Sequence, residues 1–230
     1  MEGVYPTEIQ ESATLTLLES KGVLLGITCK HVVDRAKETG VELATVRGGI
    51  QRLPLESFWH PSPKLPWLGM TPDIAIIQLD PWFPERVGKI ALRLTPGISL
   101  AKATHGVAVG YPEKIKSRIS DAGGYYVASP CVHLLAENSA TSEAETFVLF
   151  SELPEAPVVT ELSGLSGGPV FWTSADSYGL LGIVRSAQKV IPPTEQDSFG
   201  GGPRLAIRAE RVTSERVDSW VEGSSKTAKG

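Results

Sequence analysis

The sequence predicts an all-β chain, a pair of small barrels, closed by a C-terminal α-helix. Three observations carry this. Gly and Pro are abundant, at 23 and 17 of 230 residues, about one residue in six, which is too turn-rich for a helical bundle and fits many short strands. Apolar runs of strand length recur along the chain, several of them alternating with polar residues as half-buried strands do. Only near the end does the apolar spacing become helical.

Ala13, Leu15 and Leu17 alternate with Thr14 and Thr16. Lys21-Gly22 makes a turn, and Val23, Leu25 and Ile27 form a second alternating run, so residues 12–28 read as a hairpin. Val41–Val46 is a short strand. The proline-rich stretch 54–72, with Trp59 and Trp67, reads as an ordered irregular loop. Ile74–Leu79 is an apolar burst closed by Asp80-Pro81. Residues 94–104 form the crossing between two halves. Beyond it, Gly106–Tyr111, Tyr125–Val132 and Thr146–Leu149 read as strands, with the polar stretch 136–145 as a loop. Pro169–Trp172, Leu180–Val184 and Leu205–Ile207 complete the strands, and 191–203, with three consecutive glycines, reads as a mobile loop. Val217, Trp220 and Val221 follow Thr213-Ser214 at helical spacing, with Gly223 as the stop. The resulting division is 1–100 and 101–212 for the two halves, 213–223 for the helix and 224–230 for a disordered tail or linker.

Composition excludes several classes. Apolar residues make up 41% of the chain, enough for a core, and 26 acidic against 22 basic residues give a net charge of −4. That balance argues against nucleic acid as a partner, since duplex binders carry a basic excess. No apolar run reaches the length of a membrane span. The first twenty residues contain glutamates but no Lys or Arg, unlike a secretory signal, so a cytoplasmic location is expected. Cys29 and Cys131 are too few for a disulfide framework or a zinc pattern and read as two thiols. No metal and no cofactor is expected.

The sharpest chemical feature is Gly164-Leu165-Ser166-Gly167-Gly168-Pro169. A serine hydroxyl is a poor nucleophile until a base takes its proton. Flanking glycines let the backbone approach a substrate and aim N–H groups at one point, as an oxyanion hole requires. The bland alternative is a glycine-rich turn with a solvent-facing serine. His31 lies in Thr28-Cys29-Lys30-His31-Val32-Val33 at a strand end before a helical turn, and Asp73 opens the apolar strand Asp73-Ile74-Ala75-Ile76-Ile77. Alone, each reads as readily as a surface or strand-end residue. Together they give the chain order His, Asp, Ser, which separates one class of serine hydrolases from the subtilisin-like and α/β-hydrolase orders.

On these residues the sequence resembles the trypsin-like, chymotrypsin-fold serine peptidases, and the bacterial intracellular kind more than the secreted digestive kind. The resemblance spans roughly residues 10–212 and includes Val109-Gly110-Tyr111-Pro112, Leu181-Gly182-Ile183-Val184 and Leu205-Ala206-Ile207. It implies two six-stranded barrels, with His31 and Asp73 on the first and Ser166 on the second. It implies Ser166 as nucleophile, His31 as general base and acid, Asp73 as the group fixing the imidazole, and the N–H groups of Gly164 and Ser166 as oxyanion hole. The substrate pocket falls to Thr160, Ser163, Arg185 and Ala187, without an acidic residue at its base, so small or medium uncharged side chains are expected before the cut, with acidic ones as the alternative.

Departures from that pattern are informative. Cys29-Lys30 stands where two small residues are usual. Leu165 replaces an aspartate that pairs with a newly cut N-terminus in the animal enzymes, so activation by N-terminal insertion is not expected. Arg185 stands where a small polar residue is common; it could pair with Asp73, line the groove or face solvent. His60, His105 and His133 read as surface or core histidines. The leading expectation is an endopeptidase acting on protein or peptide through an acyl-enzyme, with a regulatory domain or partner protein switching it. A partner-binding module without catalysis, and a small-ester hydrolase, are the alternatives.

Overall fold

The computed structural model describes residues 13–41, 43–45, 51–61, 71–94, 102–112, 117–121, 124–128, 131–138, 145–152, 161–173, 178–188 and 203–227. The chain is mostly β, with one closed barrel and a short C-terminal helix.

The first half opens with the hairpin β1 (Thr16–Ser20) and β2 (Val23–Thr28). Lys21 at φ 49° and Gly22 at φ 77° form its turn. Positive φ at both central residues matches the twist of the flanking strands. Helix α1 (Lys30–Thr39) follows directly and buries Val33 and Ala36. The expected single turn after His31 is thus a ten-residue helix, ended by Gly40 in the left-handed conformation. Among the described residues, strands β3 (Leu43–Thr45) and β4 (Gln51–Leu53) pair only with each other. Strand β5 (Ala75–Gln78) pairs with β2, helix α2 (Phe83–Arg86) turns the chain, and β6 (Leu92–Arg93) runs parallel to β1. The sheet order is β5-β2-β1-β6. Among the described residues this four-stranded sheet does not close, so the expected six-stranded first barrel is not what the pairing gives. The β3–β4 ladder stands apart because neither strand pairs with β5 or β6.

The second half does close. Strands β7 (His105–Gly110), β10 (Val132–Asn138), β11 (Thr146–Glu152), β14 (Arg204–Arg211), β13 (Tyr178–Ala187) and β12 (Pro169–Thr173) pair in that circular order, β12 returning to β7. A separate hairpin joins β8 (Ser117–Asp121) and β9 (Gly124–Ala128). The stretch expected as one strand, Tyr125–Val132, is therefore the end of β9 and the start of β10. A proline at position 130 cannot donate to a sheet ladder, which disfavours a continuous strand there. Strand β10 also runs to Asn138, into the stretch expected as loop.

Alternation fills the barrel. Phe147 and Leu149 of β11, Leu205, Ile207 and Ala209 of β14, and Leu181 and Val184 of β13 form one apolar cluster with Leu162, Leu165 and Val170. A second cluster belongs to the first half, around Leu17, Val33, Phe58, Ile77 and Phe83. A third joins the halves: Leu18, Leu25, Ile27, Ile74 and Ile76 pack on Ile183, Val212, Val217 and Trp220. The last two residues lie on α3 (Ser214–Thr227). Thr213 caps this helix, its Oγ1 accepting from the Arg216 N–H at 3.3 Å. The helix passes through Gly223 into the expected tail. A glycine inside a helix costs about 1 kcal/mol relative to alanine and does not by itself end it. Among the described residues no helix is long and apolar enough to cross a membrane.

Candidate active site

His31 owes its place to the start of α1. Cys29, in extended conformation, is the residue before the helix and makes no side-chain cap. The first helical N–H groups therefore lack intrahelical acceptors. Asp73 supplies one: the His31 N–H donates to Asp73 Oδ1 at 3.0 Å. The same carboxylate takes the ring, with Nδ1 2.7 Å from Oδ2. A carboxylate only accepts, so Nδ1 carries the proton and Nε2 is left as the basic nitrogen. Asp73 sits just ahead of β5 with its side chain 12% exposed, while the imidazole is 51% exposed. Burial raises the Asp73 pKa, but the hydrogen bonds from the His31 ring and N–H, with the charges of His31 and Arg185, outweigh it and hold the carboxyl below its ordinary value.

Ser166 lies in a tight loop whose peptides are fixed one by one. The Leu165 N–H donates to the Leu162 carbonyl at 3.3 Å, and the Gly164 carbonyl accepts from Thr14 Oγ1 at 2.9 Å. The Leu165 carbonyl accepts from Gly168 N–H at 2.8 Å. A trans peptide points its N–H opposite its carbonyl, so this bond fixes the direction of the Ser166 N–H. The Ser166 carbonyl accepts from Thr14 N–H at 2.8 Å, and the Gly167 carbonyl from Thr16 Oγ1 at 2.7 Å. Gly167 N–H donates to Val184 at 2.9 Å, and Val184 N–H to the Gly168 carbonyl at 2.7 Å. Among the described residues the N–H groups of Gly164 and Ser166 are left without partners, the pair an oxyanion hole requires.

Two glycines make this loop possible. Gly167 has φ 87°, and a Cβ there would lie 2.0 Å from the Thr14 carbonyl oxygen and 2.4 Å from Thr28 Oγ1. A Cβ on Gly168 would lie 2.1 Å from the Val109 carbonyl oxygen. Leu165, where an acidic residue is expected in the animal enzymes, is fully buried in the barrel cluster. Its side chain anchors the loop by packing.

The Ser166 hydroxyl donates to the Arg185 carbonyl at 3.2 Å. It shares with His31 and Asp73 a cleft of about 350 Å³, lined also by Leu162, Ser163, Arg185, Ser186 and Ala187. The three residues singled out in sequence thus meet in one cleft, as do Ser163, Arg185 and Ala187 from the expected substrate pocket. Thr160 lies outside the described residues. Leu162 and Ser186 were not anticipated. Asp34 and Asp80 are engaged elsewhere, Asp34 with Lys30 and with His60 at 3.6 Å, Asp80 with Arg86 at 3.7 Å.

Arg185 both lines the cleft and pairs with Asp73. Its Nε is 3.6 Å from Asp73 Oδ2, and a terminal nitrogen is 3.6 Å from Glu210 Oε1. Glu210, on β14, has a side chain only 2% exposed, and its Oε1 also accepts from the Asp73 N–H at 3.3 Å. Burial pushes the Glu210 pKa up, against the pull of the Asp73 N–H, Arg185 and Arg216. Sequence reasoning missed Glu210 and the threonines Thr14, Thr16 and Thr28. The sequence carried no signal for Glu210, which falls at an outward position in the alternation of β14 and is buried only in the fold.

Cys29 is buried, its Sγ 3.1 Å from the Val184 carbonyl. Burial, with the nearby Asp73 charge, raises its thiol pKa well above the ordinary value. Donor atoms of Cys29, His31 and Asp73 lie within 4.8 Å of one another, a grouping of metal-ligand types whose hydrogen bonds are already made within the protein.

No family model matches the chain, and no curated protein matches it. Among solved structures, one is from work on how aromatic interactions drive the coupled folding and binding of the intrinsically disordered Sesbania mosaic virus VPg protein. It is 15% identical, with 84% of this chain and 78% of that chain covered, at a TM-score of 0.37. That likeness is too slight to carry an argument about fold or function.

Proposed function

We propose that this chain is a serine endopeptidase of the chymotrypsin-like type, using Ser166, His31 and Asp73. The observation that carries the reading is the double grip of Asp73 on the His31 N–H and ring, in a cleft that Ser166 also lines. Rotation of the Ser166 side chain from the Arg185 carbonyl towards Nε2 gives the attacking geometry; apo sites often hold such contacts loosely. His31 then takes the hydroxyl proton as Oγ attacks the scissile carbonyl. The tetrahedral oxyanion is held by the N–H groups of Gly164 and Ser166. His31 returns the proton to the leaving amine, and water repeats the cycle on the acyl-enzyme. Asp73 stays ionised and stabilises the imidazolium. On this reading the four-stranded sheet is the described part of a second barrel.

The cleft suits a small or medium uncharged side chain before the cut. Its wall offers Ser163, Ser186, Ala187 and Leu162, and its carboxylate, Asp73, is already committed to His31. A cationic side chain would be desolvated without a counter-charge. The proposal includes a protein or peptide substrate and a cytoplasmic setting, for which the paucity of cysteines is the support.

A second reading, a module that binds a partner without cleaving, is favoured by one observation: the Ser166 hydroxyl is bonded to a backbone carbonyl. Profiling with a peptide library tests both. The wild type cleaves after small or medium uncharged residues and Ser166→Ala does not. Equal, background-level signal from both proteins leaves the binding reading. Strong cleavage after Lys or Arg overturns the specificity.

A further inference from the structure

The three-residue scheme does not use Glu210. A carboxylate this buried needs partners, and it has two contacts at the site, the Asp73 N–H at 3.3 Å and the Arg185 guanidinium at 3.6 Å, both leading to the carboxylate that holds His31. Arg185 in turn is 3.6 Å from the same Asp73 oxygen that binds the imidazole. Asp73 Oδ2 is therefore shared between a permanent cation and a ring that must become cationic. Left alone, Arg185 would draw the carboxylate away from His31 and repel the imidazolium.

We propose that Glu210 and Arg185 are a positioning pair for His31: Glu210 neutralises Arg185 and anchors the Asp73 backbone, so that the Asp73 carboxylate serves the imidazole. The proposal rests on the role given above to His31. Along the chain Glu210, Arg185, Asp73, His31, the charges alternate when the histidine is protonated. Glu210 offsets the penalty that Arg185 imposes on that state. Among the described residues the other charged groups nearby are placed as follows. On α1, Lys30 pairs with Asp34, which also faces His60. The Cys29 thiol, at the start of α1, is held neutral by burial. From α3, Arg216 adds positive charge towards Glu210. A like charge within several ångströms shifts a titration by about one unit or more, and an opposite charge does the reverse.

The test is an NMR titration of the His31 ring in wild type, Glu210→Gln, Arg185→Met and the double variant, with the His31 signal assigned by its loss in His31→Gln. Glu210→Gln leaves the cation unneutralised, and the His31 midpoint falls by about half a unit or more. Arg185→Met removes the cation and leaves the Glu210 carboxylate unopposed, and the midpoint rises. The double variant returns towards wild type. If Glu210→Gln does not fold, Arg185→Met decides alone, since its side chain is 44% exposed and its loss leaves the core intact. Midpoints that coincide in wild type and Arg185→Met overturn the proposal, even if stability changes. Labelling of the same proteins with a fluorophosphonate separates this outcome from the function: shifted midpoints with no labelling of wild type sink the peptidase reading alone, while labelling with unmoved midpoints sinks the positioning pair alone.

Discussion

On the proposed reading Ser166, His31 and Asp73 act through one proton path, so their loss is not additive. Ser166→Ala, His31→Ala and Asp73→Asn are each expected to lower peptidase activity by about three orders of magnitude, and Ser166→Ala/His31→Ala hardly further, with circular dichroism unchanged. Cys29 and Cys131 differ in environment, one buried and one exposed. Iodoacetamide at pH 8 should modify Cys131 in the native protein and Cys29 only after unfolding, as read by peptide mass. Asp73 and Glu210 titrate in opposite senses. The folded pKa of Asp73 is depressed, so its ionised form adds stability above 3.8 that is lost as pH falls through the lower folded value. The folded pKa of Glu210 is raised, so wild type should gain stability relative to Glu210→Gln as pH falls towards 4.5 from above. Thermal melts of both proteins from pH 7 to 4.5 measure the sign. At this scale the sequence was legible where chemistry is written in a short motif, as in Gly164–Pro169. It was silent on Glu210, because a lone acidic residue in a strand reads as solvent-facing until the fold buries it.

Two elements hold the Ser166 loop: the segment 13–16 entering β1, and the C-terminal part of β13 at Val184 and Arg185. Thr14→Val removes the donor to the buried Gly164 carbonyl, at a cost of about 1–3 kcal/mol. Activity should fall further than stability, because the Gly164–Leu165 peptide ahead of Ser166 loses its brace; denaturant melts beside acylation rates measure the split. Gly167→Ala meets the Thr14 carbonyl at 2.0 Å in a left-handed conformation, and should destabilise the fold by about 3 kcal/mol or more. Alternation located most of the strands, but not the departure of Ala13–Leu15 from the hairpin, since pairing partners far along the chain decide which residues leave a sheet. The helix α1 was underread because its apolar face is narrow, Val33 and Ala36 alone being buried.

Across the whole molecule, the cleft is made where the first-half sheet and the barrel meet, and α3 fastens that junction. Trp220 and Val217 pack into the shared cluster, and Ser20 donates to Asp218 at 2.7 Å beside the Lys21–Asp218 pair at 3.0 Å. Trp220→Ala should cost about 3–5 kcal/mol and loosen the two halves, reducing activity with stability. Composition and turn density foretold a mostly β chain. Closure is a property of long-range pairing, and here it holds for the second half while the described first half stays an open sheet.

The account turns on whether Ser166 is a nucleophile activated by His31. Intact-mass analysis after reaction with a fluorophosphonate tests that most directly. Wild type should gain one adduct per chain, mapped to Ser166, with none on Ser166→Ala and a rate at least about a hundredfold lower on His31→Ala. An unmodified wild type, or labelling of His31→Ala at the wild-type rate, would contradict it.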